Sequence, residues 1–219
     1  MKEAYRLFSG FSLAALSIIC CTANADPREL TERSEIQHEL RRPAIRGAIV
    51  YKTYCILCHG EKGDGHGRAS KLFDAELLTI KSRPADYYEN IIMKGGAAMG
   101  VSSFMPMWEE ELSDEQISDV LVYLKFLDNS VNRGEVVFKT NCILCHGLKG
   151  DGNGRAAKLY DPPPANLTRS DKNDDYKRMI ITLGGAAMGR SPVMPVWGEQ
   201  LSTQEIDDVV NYLKTLLIN

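Results

Sequence analysis

After residue 25 the chain has no apolar run approaching the roughly 20 residues that a membrane-crossing helix needs. It also has no charge excess: 26 Lys and Arg stand against 29 Asp and Glu in 219 residues, net −3. Nucleic-acid-binding proteins carry a basic footprint, so no nucleic-acid partner is expected. Alternation of apolar and polar residues, the mark of a half-buried strand, is nowhere persuasive, which argues against a β fold. Histidine is scarce, with four in the whole chain.

What is present begins with a distinct leader. Lys2 and Arg6 form a basic start, and an apolar run from Leu7 to Cys21 is broken only by Ser9, Gly10, Ser12 and Ser17. Ala23-Asn24-Ala25 then gives a small-polar-small pattern before Asp26. Residues 1–25 therefore read as a secretory signal peptide cleaved after Ala25. The run of about fifteen residues is short for a retained span. Bulky Ile18 and Ile19 before Cys20 argue against a lipid anchor. The expectation is an exported, soluble, periplasmic protein of about 194 residues with no membrane span in its mature form. Removing the leader takes the net charge from −3 to −4.

The rest is one unit written twice. Cys55-Ile56-Leu57-Cys58-His59-Gly60 recurs as Cys142 to Gly147, 87 residues later. Arg46-Gly47 matches Arg133-Gly134, and Gly63-Asp64-Gly65 with Gly67-Arg68-Ala69 match Gly150 to Ala156 at the same offset. The second copy then gains two residues, placed on sequence alone after Asp74 and Asp161. At the new offset of 89, Gly95 to Gly100 match Gly184 to Gly189, Met105-Pro106 and Trp108 match Met194-Pro195 and Trp197, and Tyr123-Leu124-Lys125 match Tyr212 to Lys214. This divides the chain into a leader 1–25, a polar lead-in 26–45 of unreadable role (short helix or flexible), and domains 46–129 and 130–219. Units of this size make a small core. Each copy ends in an apolar pattern at helical spacing, Ile117 to Leu127 and Ile206 to Leu217, opened by capping boxes at Ser113 with Gln116 and Ser202 with Glu205. Further helices are predicted over 47–54 and 134–141, and over 86–93 and 175–182.

Four cysteines remain after the leader, all in two Cys-x-x-Cys-His units. Four cysteines in an exported chain suit a disulfide framework, and a lone Cys-x-x-Cys suits a redox dithiol or half a zinc site. A His directly after the second Cys is instead the mark of c-type haem attachment. Two thiols on one helical turn meet the haem vinyl groups, and the next imidazole meets the iron, a metal it suits. Two haems c, each a large apolar body, would supply the core volume such small units lack. The residues expected to attach them are Cys55, Cys58 and His59, and Cys142, Cys145 and His146. For the sixth ligand the repeat is a filter. His66 aligns with Asn153, Met93 with Thr182, Met179 with Asn90 and Met107 with Val196, and His38 lies outside the repeat. Two pairs survive, Met99 with Met188 and Met105 with Met194, with core filling the plainer use of any methionine.

The CxxCHG units, the Gly-Asp-Gly-x-Gly-Arg-Ala loops, the Met-Pro-x-Trp segments and the Leu-Ser-started final helices resemble small class I c-type cytochrome domains, especially the haem subunit of cbb3-type oxidases. The resemblance covers nearly all of residues 46–219. It implies an all-α fold, two cytochrome c domains in tandem, with first and last helices crossing near each haem and a Tyr-Leu pair packed on the crossing. It implies Met105 and Met194 as distal ligands, with Met99 and Met188 as the alternatives, and Trp108 and Trp197 as haem-pocket walls. It also implies a proline carbonyl bonded to the proximal His. Pro162-Pro163-Pro164 offers one in the second copy, whereas the first has Ala75-Glu76-Leu77. The two haems are therefore expected to differ in potential.

Iron held by His and Met has no vacancy for a substrate, and the thioether raises its potential. The expected function is electron transfer between redox partner proteins, donor and acceptor unnamed, with no catalytic residues. Kept beside it are a diheme enzyme with one open haem, such as a peroxidase or sulfur-compound dehydrogenase, and a cytochrome subunit of a membrane respiratory complex. Residues 46–129 carry 9 positive and 13 negative charges, and 130–219 carry 11 and 10. Glu109 to Glu111, Asp114 and Glu115 form an acidic cluster that suits either a solvated helix start or docking of a basic partner.

Overall fold

In the computed structural model the described residues are 27–73, 79–80 and 83–218. The predicted leader and its cleavage point lie outside them. The order is α1 (Pro27–Leu40), α2 (Pro43–Val50), a π turn (Tyr51–Cys55), α3 (Ile56–His59), α4 (Ala85–Ala98) and α5 (Asp114–Leu124). The second copy follows with α6 (Ser130–Asn141), α7 (Ile143–His146), α8 (Asp174–Ala187) and α9 (Thr203–Thr215). Among the described residues β pairing is limited to one isolated bridge, Asp64 to Thr79. No described helix is long and apolar enough to cross a membrane.

The helix boundaries follow local chemistry. Both capping boxes form: Ser113 Oγ accepts from Gln116 N–H, Ser202 Oγ from Glu205 N–H, and each N3 side chain returns to its cap. The Asn129 side chain caps α6 by accepting from Val131 and Asn132 N–H at 2.9 and 3.1 Å. Helices α4 and α8 run longer than their apolar patterns suggest. Each turns through a glycine with positive φ, Gly95 at 75° and Gly184 at 78°, and winds once more before stopping.

In each domain the first and last helices cross at a glycine. A Cβ on Gly47 would overlap the carbonyl of Asp119, and one on Gly134 that of Asp208. Only a bare Cα lets the helices approach so closely. The preceding arginine reaches across the contact and clamps the same aspartate with two bonds. Arg46 Nε and Nη2 donate to Asp119 at 2.6 and 2.7 Å, and Arg133 to Asp208 at 2.7 and 2.8 Å. Tyr51 packs on Tyr123, and Phe138 on Tyr212, with ring centroids 5.5 and 5.4 Å apart. The Tyr-Leu pairs thus sit on the crossings.

Each core borrows from the other end of the chain. Ile36 of α1 is buried in the second domain's core with Val137, Phe138 and Val210, while Val136 of α6 is buried in the first. The lead-in is therefore a helix packed on the second domain. Ion pairs fix it there: Arg42 with Glu39 and Glu135 at 3.0 and 2.7 Å, and Lys139 with Glu39 at 3.5 Å. Lys52 meets Glu205 at 2.6 Å, and Ser202 Oγ donates to Glu61 at 2.8 Å, joining the two domains again.

The structure moves the two-residue gain. Ile80 N–H bonds Gly63 O, and Leu167 N–H bonds Gly150 O, at 2.6 and 2.7 Å. These equivalent bonds keep the 87-residue spacing, so the extra residues lie between Leu167 and Asn173, not after Asp161. Their polar, low-homology surroundings hid this from the sequence.

Candidate haem sites

The cysteine turn is held by glycines. In the second domain Cys142 follows α6, and α7 carries Cys145 and His146. Gly147, at φ 77°, reverses the chain. Gly152 N–H then bonds His146 O at 2.9 Å, and Gly154 N–H bonds Cys145 O at 3.1 Å. A Cβ on Gly154 would strike the Leu144 and Cys145 backbone, so this loop needs its glycine. The first copy matches at Gly60 (φ 77°) and Gly65 N–H to His59 O, 3.0 Å. One local difference stands out: Tyr51–Cys55 is a π turn, whereas Phe138–Asn141 stays in α6.

Opposite this turn lies the Met-Pro-x-Trp segment. Its seat is the repeated Gly-Gly pair, whose role the sequence did not disclose. Gly96 N–H bonds Met105 O at 2.9 Å, and Gly185 N–H bonds Met194 O at 3.0 Å. A Cβ on Gly96 would overlap Ser102 O, and one on Gly185 would overlap Ser191 O. The glycines thus let α4 and α8 close on the methionine loops. The only available signal was their recurrence in both copies.

In the second domain the two halves enclose a cavity of about 660 Å³. Cys142, Cys145 and His146 line one part, and Met194, Pro195 and Trp197 another. Phe138, Val209 and Leu213 are among its apolar walls. Met188 is not among the lining residues; it caps the turn after Gly184, its N–H bonded to Gly185 O at 3.1 Å. In the first domain Met105 and Trp108 pack on the core formed by Ile92, Ile117 and Val120. Met99 caps α4 as Met188 caps α8. His66 is an exposed residue 3.5 Å from Asp64, away from any such core.

Burial sets the chemistry of these groups. It pushes the Cys55 and Cys142 thiols up to about 12, which disfavours free thiolate. Burial also lowers the His146 imidazole below its ordinary value, with the Ala165 carbonyl opposing in part, so a neutral ligand is favoured. His146 Nδ1 lies 3.0 Å from Ala165 O. The expected proline carbonyl is thus replaced by that of the residue after the proline run: the three prolines place the next peptide, and its C=O faces the ring. This bond leaves Nε2 as the free ring nitrogen. The equivalent position, Leu78, lies outside the described residues. Among the described residues no three His, Cys, Asp or Glu side chains gather as a metal cluster. A large apolar cavity with a thiol pair and imidazole on one part and a thioether on another suits a covalent haem.

Comparison with known proteins agrees. Residues 131–217 match the cytochrome c family, and residues 42–124 match the family described as cytochrome C oxidase, cbb3-type, subunit III. The chain is a diheme c-type cytochrome of two tandem domains. It is similar to the cbb3-type cytochrome c oxidase subunit FixP of Azorhizobium caulinodans, 26% identical over 204 residues, covering 89% of this chain and 66% of the relative. It is also similar to the cbb3-type subunit CcoP of Rhodobacter capsulatus, 28% identical over 194 residues, 78% of this chain and 61% of the relative. A cytochrome c-553-like protein of Synechocystis is 28% identical over 103 residues, 47% of this chain and 81% of its own. The chain thus spans under two thirds of the length of these oxidase subunits.

Proposed function

We propose that this cytochrome is a periplasmic relay that passes single electrons between redox partner proteins through its two domains, in association with a membrane respiratory complex. In this reading Cys55 and Cys58, and Cys142 and Cys145, form the thioethers. His59 with Met105, and His146 with Met194, hold the two irons. Haem supplies reversible one-electron chemistry at each domain. The protein fixes the ligands, excludes water with its apolar walls, and holds the two domains at one spacing through Lys52–Glu205, Glu61–Ser202 and α1.

The observation that carries the reading is the seat of Met194. It lines the same cavity as His146, with its carbonyl pinned by Gly185. A methionine bonded at both its N–H (to Ser191 O, 3.3 Å) and its carbonyl favours a closed six-coordinate site over an open enzyme site. The leader supports periplasmic export, and the oxidase-subunit relatives support the respiratory partner. The test is the absorption spectrum of the dithionite-reduced protein with and without carbon monoxide. No change is expected. A shift in half of the haem would replace the relay by an enzyme or sensor with one open iron.

A further inference from the structure

The second domain's cavity carries a cluster of cations. Arg169, Lys172, Lys177 and Arg190 line it, with Asp171 as the acid among them. Lys172 is met by Asp171 at 2.7 Å. Arg190 donates to a neutral group, the Tyr176 hydroxyl, at 3.1 Å. Lys177 is only 7% exposed, and the charge set against it through space is Asp174, which is itself paired with Lys214 at 2.6 Å. Lysine is almost never buried so far without a partner, because an uncompensated buried charge is costly. Asp171 likewise acts on Arg190, so the four cations that line the cavity share one lining acid and leave room for further negative charge. A haem brings two carboxylates, on the edge remote from the vinyl groups that its thioethers consume.

The first domain is built differently at the matching positions. Arg83 sits over the Tyr87 ring at 5.6 Å, as Lys172 sits over Tyr176 at 5.9 Å, which fixes the 89-residue correspondence here. Lys177 then matches Tyr88, and Arg190 matches Val101. Arg169 falls in the stretch that is two residues longer in the second copy. Lys81 of the first copy lies outside the described residues. Two of the second domain's cations are therefore neutral residues in the first, and the difference runs with the charge of the whole domains, 9 positive to 13 negative against 11 to 10.

Adding an electron lowers the charge at iron. Nearby cations favour that change, and burial leaves Lys177 the least screened of them, Arg169 and Arg190 being exposed. We infer that Lys177, Arg190 and Arg169 bind the carboxylates of the second haem and make the second domain the high-potential end, so that electrons arrive at the first domain and leave from the second. The inference rests on the relay reading above. Each passage takes one electron from a single-electron donor protein at the first domain and delivers one to a single-electron acceptor at the second. No bond to a substrate forms or breaks, and no proton needs to move.

Spectroelectrochemical titration of the purified two-haem protein tests this. Lys177→Gln should lower the higher of the two midpoint potentials by about 59 mV, the equivalent of a tenfold change for a one-electron couple, and leave the lower one in place. Lys177→Arg should retain the original value. Movement of the lower potential, or of neither, overturns the inference. Should Lys177→Gln fail to hold its second haem, Val101→Arg decides. A raised lower potential supports the cationic cluster, and an unmoved one overturns it. Carbon monoxide added to the same reduced samples reads the relay proposal separately, because an open iron leaves the potential shifts measurable.

Discussion

The two domains close the same helix crossing with the same residues, yet the closure meets water differently. In the second domain both partners of the clamp are buried, Arg133 at 7% and Asp208 at 3% side-chain exposure. In the first, Asp119 is equally buried at 5%, but Arg46 is 34% exposed and shares itself with Glu115 at 3.1 Å. Arg133 also bonds the Leu127 carbonyl, so the second clamp ties down the end of the first domain as well. An identical repeat can thus be a local fastening in one copy and a joint between domains in the other.

That comparison can be broken first at the feature the copies share most closely. Gly47→Ala and Gly134→Ala each drive a methyl into a backbone carbonyl that side-chain motion cannot move. Each should cost about 4 kcal/mol or more, read as the lost denaturation midpoint of its own domain in Soret circular dichroism. The clamps should then separate the copies. Arg133→Met strands a buried carboxylate and should cost about 3–5 kcal/mol. Arg46→Met leaves Asp119 beside a water-exposed gap and should cost about 1–3 kcal/mol. Equal losses would remove the distinction drawn here.

A smaller effect is expected beside the cysteine turn. The buried Tyr51 hydroxyl donates to Gly60 O at 2.6 Å, and Phe138 has no such bond. Tyr51→Phe makes the first copy like the second and leaves Gly60 O with only its longer bond from Gly63 N–H, 3.3 Å, at about 0.5–1.5 kcal/mol. Denaturant titration should show the loss in the first domain alone. The smallest effect concerns acid. Burial raises the Glu39 carboxyl, but Arg42 and Lys139 outweigh it and hold it below its ordinary 4.5. The grip of this pair on α1 is complete above that value. It is lost as pH falls through the lower, folded-state value. Hydrogen exchange in residues 27–40 should therefore rise below about pH 4.5, ahead of the rest of the second domain.

Much of this was legible because the chain repeats itself. The capping boxes, the final helices and the cysteine turns stand in both copies at fixed offsets, and each has a local chemical cause. Other features were present in the sequence but carried no local signal. Asp119 and Asp208 read as ordinary polar positions between apolar ones, and only the crossing shows that they face an arginine 73 and 75 residues away. The Gly-Gly pairs recur in both copies, but only the structure shows their second N–H groups meeting the methionine carbonyls. Ala165 was hidden behind the three prolines that position it. The cationic cluster arises where the repeat fails, at Lys177 and Arg190, so the matches between the copies do not mark it.

The seating of α1 has a consequence in time. The N-terminal part of a chain is made first, yet the pocket for Ile36 is built from Val137, Phe138 and Val210. That helix packs on α2 and α6, so part of its resting surface is missing until the second domain is under way. Contacts this distant in sequence form slowly. The opening helix of the described structure is therefore a latecomer in assembly, and its arrival closes a loop around the first domain after that domain's own crossing has formed.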